Sequence, residues 1–457
     1  MTDAKIASTS SPGRIQDYGP AMRIDCFPPG AERGRFIGLD ALRGLAITLV
    51  LFGHFTYRIP DDTIGRPLIF AIHQLGYVGA DIFMVLSGFL IGGMLLTSLR
   101  TTGRIGAMRF LGRRALRLWP SYFLVILLAW KWSHWVGAID EYGHRAPPVN
   151  LWNMWPMALH IQNYFDLLSY KQGGASVALH TWTLMVLIHF YVLFAGLMLL
   201  IAQRPRTVHL IPWLVGFIAI VCFVIRLRVA PIDEEHFDAY RQYFPTHVRI
   251  DEPMFGVLLA YWTLYRRDAV DWIMHHAWPL VILLSVAVLI PMAVRQQTEP
   301  PSWCIWGYTV AALSAGGLIM TFWWLEQRRR AAPAPCSPVR RLARLPLQAV
   351  AMVGLWSYSI YLWHQPFCNQ FLVSKIRNTI GTHVINWSSR WNYPATALAF
   401  IVASIAVGAV MFYLVERPSL WWRRKILPPA TISPTQAPPD LSMDSRRSSA
   451  HGAGDWS

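Results

Sequence analysis

The sequence predicts an all-α integral membrane protein of about ten transmembrane helices with both termini in the cytoplasm, and three observations carry that expectation. Only 14% of the 457 residues are charged while 54% are hydrophobic, against about 25% charged in an ordinary soluble domain. The hydrophobic residues gather into ten stretches, most near the length of about 20 residues that a helix needs to cross a hydrocarbon core. These are 36–57, 76–97, 119–139, 180–202, 208–230, 250–265, 276–295, 303–325, 348–368 and 393–416. With residue 1 placed inside, 27 of the 41 Lys and Arg residues fall in inside segments, 10 in outside segments and four within spans. That asymmetry is what the positive-inside rule requires. The net charge of +16 is therefore topology, facing membrane lipids. Spread over short inside loops it forms no continuous basic face, so no nucleic-acid partner is expected.

Taken in order, residues 1–35 are polar and rich in Ser, Pro and Gly, which predicts a disordered cytoplasmic tail without the apolar core of a cleavable leader. The first span, in GLDALRGLAITLVLFGHF, holds Arg43 and His54. They project from one face about three turns apart, roughly 16 Å along the axis, with Arg43 near the inner end and His54 near the outer one. Ionisable groups in a bilayer are costly unless paired or hydrated, which makes each a functional candidate, although Arg43 can also snorkel to the inner interface. The second span, GYVGADIFMVLSGFLIGG, carries Asp81 near its outer end and Ser87 with Gly88 at mid-depth; its glycines suit close helix packing. The loop that follows holds six arginines. Of these, Arg113, Arg114 and Arg117 in RRALRLWP lie on the cytoplasmic rim, where guanidinium forks can clamp phosphate.

Segment 152–165 is apolar but too short to cross, and reads as interfacial or re-entrant. The fourth span opens with His180 and Trp182 and holds His189, and the short sixth opens with Arg249, Asp251 and Glu252 in RIDEPMFG. Residues 331–338 read as a linker. The ninth span, in GLWSYSIYLWHQP, places His364 near its outer end. The last ends in VERP, with Glu416 and Arg417 at the inner boundary, before a second disordered tail over 425–457. Histidines and acids thus collect toward the outer half and arginines at the inner face, as in a pore with two differently charged mouths. The five cysteines (Cys26, Cys222, Cys304, Cys336 and Cys368) are scattered, and predict neither a disulfide framework nor a metal site.

With these motifs in this order over residues 36–424, the chain resembles the acyltransferase 3 family, the membrane-bound acyltransferases that decorate bacterial sugars. The resemblance is carried by Arg43-x10-His54, GADIFMVLSGFLIGG, RRALRLWP, RIDEPMFG, GLWSYSIYLWHQP and VERP. It implies a multi-pass protein of the bacterial inner membrane. No cofactor is held permanently; acyl-CoA, usually acetyl-CoA, serves as a cytoplasmic co-substrate, and the acceptor is a hydroxyl on an extracytoplasmic or lipid-linked glycan. Carried over by position, His54 is the catalytic histidine and Arg43 contacts the coenzyme. Arg113, Arg114 and Arg117 are candidates for its phosphates, and Ser87 with Gly88 matches the family's SGFL. Asp81 is the candidate acid beside His54, and His180, Trp182, Arg249, Asp251 and His364 form the acceptor end.

One departure stands out. The family's W-S-L-x-x-E-E-x-F-Y pattern is met at Trp182, Thr183, Leu184, Phe190 and Tyr191, but Leu187 and Ile188 hold its acidic positions. Asp81, Asp251 and Glu252 are the possible substitutes. The departure also keeps open a non-catalytic regulator or transporter that uses the same pore. Two chemical routes stay open as well: direct attack assisted by His54 as base, and transient acylation of His54.

Overall fold

Hydrocarbon offers a peptide group no hydrogen-bond partner, so every apolar stretch that enters it must close its own ladder as a helix. The structure, a computed structural model, describes residues 36–55, 59, 61–132, 138–139, 145–146, 151–165, 179–230, 238–294, 303–331, 338–366 and 389–428. The expected tail at 1–35, nearly all of the one at 425–457 and the interior of the 331–338 linker lie outside these residues.

A long helix stands at each of the ten expected stretches. In chain order the helices are α1 Ile37–His54, α2 Arg66–Gln74, α3 Gly76–Thr102, α4 Ala107–Trp132, α5 Trp182–Gln203 and α6 Ile211–Val229. There follow α7 Asp251–Tyr265, α8 Arg267–Ala287, α9 Trp303–Ala331, α10 Pro338–Trp363, α11 Ser389–Met411 and α12 Arg417–Ile426. A π-helical turn, Phe412–Glu416, joins the last two. Two-residue strands, Ala138–Ile139 and Arg145–Ala146, pair antiparallel. Among the described residues, eight helical stretches are long and apolar enough to cross a membrane. The expected spans not among the eight are α4 and α7. In α4 the arginines of its first turns dilute its hydropathy, and α7 has 15 residues with Asp251 and Glu252 in its first turn.

The centre of the bundle is α1, packed on α3, α9 and α10. Glycines let these helices approach backbone to backbone. A Cβ at Gly354 of α10 would run into the Asp40 carbonyl of α1, and one at Gly44 into the Val350 carbonyl. Gly88 of α3 and Gly256 of α7 make the matching contact against the Pro253 and Val85 carbonyls. These two crossings set which residues of α1, α3, α7 and α10 meet. On the outside of the bundle, α6 and α8 present Trp213, Phe217, Ile220, Leu280 and Leu283 as exposed apolar side chains, the surface that lipid covers.

Residues 151–164 turn back onto α4, as their shortness requires. The Tyr122 hydroxyl donates to the Met157 carbonyl at 3.0 Å, and the His160 ring stacks on Tyr122 with centroids 5.1 Å apart.

Candidate active site

Five helices, α1, α3, α4, α5 and α10, enclose a chamber of about 860 Å3, counting its open mouth. Arg43 of α1, Arg114 and Arg117 of α4, and Tyr358 of α10 line one end; Ser87 and Phe83 of α3, Thr183 and Leu187 of α5, and Tyr361 of α10 also face it. Three cations and no acid are among its lining residues. The Arg43 guanidinium donates to Asp40 at 3.0 Å, which steadies it against its own helix. Arg114 lies over the rings of Phe110 and Tyr191 at 5.5 and 5.7 Å. It sits on the N-terminal extension of α4, ahead of the expected span. There burial, reinforced by the like charges of Arg117, Arg423 and Arg43, pulls its pKa down to about 10. Arg117 stands 3.9 Å from Glu416, whose other oxygen accepts from Ser359 at 2.8 Å. Arg113 does not line the chamber: its guanidinium donates to the Leu427 carbonyl beyond α12. The arginine trio of the sequence is therefore divided, two members facing the chamber and one fastening α12.

Beyond Tyr361 the site changes character. His54 from α1, His364 from the end of α10 and His180 from the turn before α5 converge, with ring centroids 5.0 Å apart for His54 and His364 and 5.1 Å for His180 and His364. Each ring has one nitrogen on a backbone carbonyl: His54 Nδ1 on Val50 at 2.9 Å, His364 Nδ1 on Tyr361 at 2.7 Å, and His180 Nε2 on Leu362 at 3.2 Å. A carbonyl only accepts, so in every case that nitrogen carries the proton and the other one the lone pair. Tyr361 connects chamber to cluster. Its hydroxyl donates to the His180 carbonyl, which leaves it to accept from Thr183 Oγ1 at 2.6 Å.

A third group lies on the other side of α5. Arg249 is fully buried and holds two acids, donating to Asp81 and, at 2.5 Å, to Glu252. Its guanidinium is ringed by Tyr308, Tyr243 and Trp182 at 4.1, 4.8 and 5.1 Å. Next to it Arg226 of α6 donates to Asp251 at 2.5 Å, to the Val248 carbonyl and to Thr309. The carboxylate of Asp81 is thus committed to Arg249, and the ring that touches His54 is His364.

The site residues read from the sequence therefore sort into three places: Arg43, Ser87, Arg114 and Arg117 at the chamber, His54, His180 and His364 in the imidazole cluster, and Asp81, Trp182, Arg249 and Asp251 in the ion cluster. Leu187 is part of the chamber wall, and Ile188 packs into the apolar core behind it. Sequence reading passed over Tyr358 and Tyr361. Their spacing with His364 in steps of three residues, which puts them along one helical face, was the available signal. It also treated Arg226 only as a charge within a span. Among the described residues no group of three or more His, Cys, Asp or Glu could hold a metal ion.

Comparison with known proteins extends the picture. A family model of the acyltransferase 3 type, described as an acyltransferase domain, matches residues 36–413. The chain is 25% identical over 370 residues to a Bacillus subtilis protein named "Putative peptidoglycan O-acetyltransferase YrhL", covering 78% of this chain and 52% of the relative. It is 23% identical over 342 residues to a Staphylococcus aureus protein named "Putative O-acetyltransferase", covering 73% and 51%. A protein of Komagataeibacter xylinus named "Putative membrane-bound transacylase BcsY" is 25% identical over 421 residues, covering 90% and 88%. The chain thus spans about half the length of the first two relatives. No solved structure matches it significantly.

Proposed function

Because the chain belongs to the acyltransferase 3 family, matched from residue 36 to residue 413, we propose that it is an integral-membrane O-acyltransferase of the bacterial inner membrane. In this reading it moves an acyl group, acetyl in the first instance, from cytoplasmic acyl-CoA to a hydroxyl of an extracytoplasmic or lipid-linked glycan. One observation carries the proposal: a chamber whose ionic lining is three arginines without an acid leads, by way of Thr183 and Tyr361, to three clustered imidazoles. Guanidinium groups gathered at one end of a chamber suit a polyphosphate, and the roughly 16 Å rise from Arg43 to His54 on α1 suits an extended arm that brings a thioester from one to the other.

At His54 the Nδ1–H is held by the Val50 carbonyl, which leaves Nε2 as the base. As the acceptor oxygen bonds to the thioester carbonyl carbon, its proton passes to Nε2; the C–S bond then breaks and the coenzyme leaves as a thiolate that recovers a proton. In the acyl-enzyme variant Nε2 itself takes the acyl group and passes it on to the hydroxyl. Asp81, Trp182 and Arg249 act in this scheme as positioning residues, since Arg249 braces the first turn of α5 next to His180. The competing reading, a regulator or transporter, draws on Leu187, an apolar side chain in the chamber wall where the family pattern has an acid.

One experiment separates them. The protein in nanodiscs is given labelled acetyl-CoA with and without extracted envelope glycan. Label moving to glycan in wild type but not in His54→Ala supports the proposal. Label retained on His54 without glycan selects the acyl-enzyme route. Coenzyme binding with no label transferred to glycan or protein overturns the enzymatic reading in favour of the regulator.

A further inference from the structure

One ring of the imidazole cluster holds an unmet acceptor. His364 spends its N–H on the Tyr361 carbonyl, so its other nitrogen carries a lone pair. The His364 ring lies between the other two, the residue is 0% exposed, and its Nε2 has no hydrogen-bond partner. A buried acceptor left without a donor is destabilising, a penalty that a ligand bringing the donor would remove. Three histidines also suggest a metal, but these are not arranged to hold one, and the acids closest in the sequence reading, Asp81 and Glu252, are bound to Arg249. The complementary ligand therefore brings a hydrogen-bond donor to His364 next to the group that reacts at His54, 5.0 Å away between ring centroids.

Resting on the acyltransferase reading above, we propose that the acceptor is recognised as a diol. The hydroxyl that becomes acylated donates to Nε2 of His54, and the hydroxyl on the neighbouring carbon donates to Nε2 of His364. His364 then decides which hydroxyl of a sugar reacts, because only a position with a free hydroxyl next to it satisfies both rings. An acceptor lacking that neighbour leaves the buried His364 nitrogen unpaired, and sites built to pair a hydroxyl reject analogues without it far more strongly than apolar pockets reject a missing methylene. His180, whose Nε2 is fixed on Leu362, backs the His364 ring and holds its plane.

The test uses the full chain in nanodiscs with labelled acetyl-CoA and, as probe acceptors, phenyl β-D-glucopyranoside and its four monodeoxy congeners. In wild type, one congener lacks the reacting hydroxyl and yields no product at that carbon. A congener deoxygenated at an adjacent carbon should lose about tenfold or more in kcat/KM. In His364→Ala that adjacent-deoxy penalty should vanish, while the KM for acetyl-CoA stays as in wild type. In His364→Gln, whose amide oxygen can accept, part of the penalty should return. The penalty surviving intact in His364→Ala, or being absent from wild type, overturns the inference while leaving the acyltransferase reading in place. No acetyl transfer to any probe or to extracted envelope glycan by wild type overturns both. Should His364→Ala fail to bind acetyl-CoA, and so prove misfolded, the wild-type deoxy series and His364→Gln decide the matter.

Discussion

Asp81 offers the sharpest test of how charge is handled inside this bundle. Two guanidinium groups, Arg226 and Arg249, face three carboxyl groups, Asp81, Asp251 and Glu252, and all five residues are buried. Replacing Asp81 by Asn brings the count to two against two. The Asn carbonyl can still accept from Arg249, and its amide can donate toward Glu252, whose second oxygen has no partner. The change should therefore alter stability by no more than about 1 kcal/mol. Arg249→Ala acts in the opposite direction, stranding Asp81 and Glu252 as buried acids without their cation, at a cost of about 3–5 kcal/mol. That is a large share of the roughly 5–15 kcal/mol by which a folded protein is stable.

The assay is thermal unfolding of the purified variants followed by size-exclusion chromatography, with acetyl transfer measured on the same samples. Asp81→Asn should remain monodisperse and transfer at a rate within about threefold of wild type, since the mutation leaves the His54 environment untouched. Arg249→Ala should melt far earlier or fail to purify. A folded Asp81→Asn protein that has lost about a hundredfold or more in rate, equivalent to removal of a catalytic acid or base, would refute the reasoning and return Asp81 to the chemistry. Equal destabilisation by the two variants would refute the charge count itself.

Other outcomes follow from the same geometry. Arg43→Ala and Arg114→Ala should each raise the KM for acetyl-CoA about tenfold, the loss expected for one charge-assisted contact; Arg113→Ala, whose guanidinium is tied to Leu427, should raise it less than about threefold, and steady-state kinetics distinguish them. Tyr361→Phe removes the hydroxyl between His180 and Thr183, so kcat should fall about tenfold through misplacement of the imidazoles while acetyl-CoA binding, read by calorimetry, is unchanged. Gly354→Val would push a branched side chain into the Asp40 carbonyl of α1 and should abolish the monodisperse chromatographic peak, because the α1–α10 crossing leaves no room for overpacking to relax.

The helices were legible because each is a local event. An apolar run of sufficient length must close its own hydrogen bonds in hydrocarbon, and the sequence shows where those runs lie; all ten expected stretches carry a helix. Arg43 and His54 were legible for a related reason. Both belong to α1, and the helical period alone places them on a common face. What one strand of sequence could not decide is which residues meet across helices. Asp81 and Arg249 are 168 positions apart, and His180 and His364 come from the start of one helix and the end of another, so no periodicity relates either pair. Arg113, Arg114 and Arg117 look alike in RRALRLWP, yet only the packing of α4 against α5, α10 and α12 sends one to Leu427 and two to the chamber. Those meetings are settled by helix crossings at glycines such as Gly44, Gly88 and Gly354, where backbones touch and set every other contact along the pair. The sequence by itself determined the helices and the presence of polar groups that must find partners in a bilayer. Only the tertiary structure decided which partners they are, because periodicity reports the face a residue occupies and never the neighbour that face will meet.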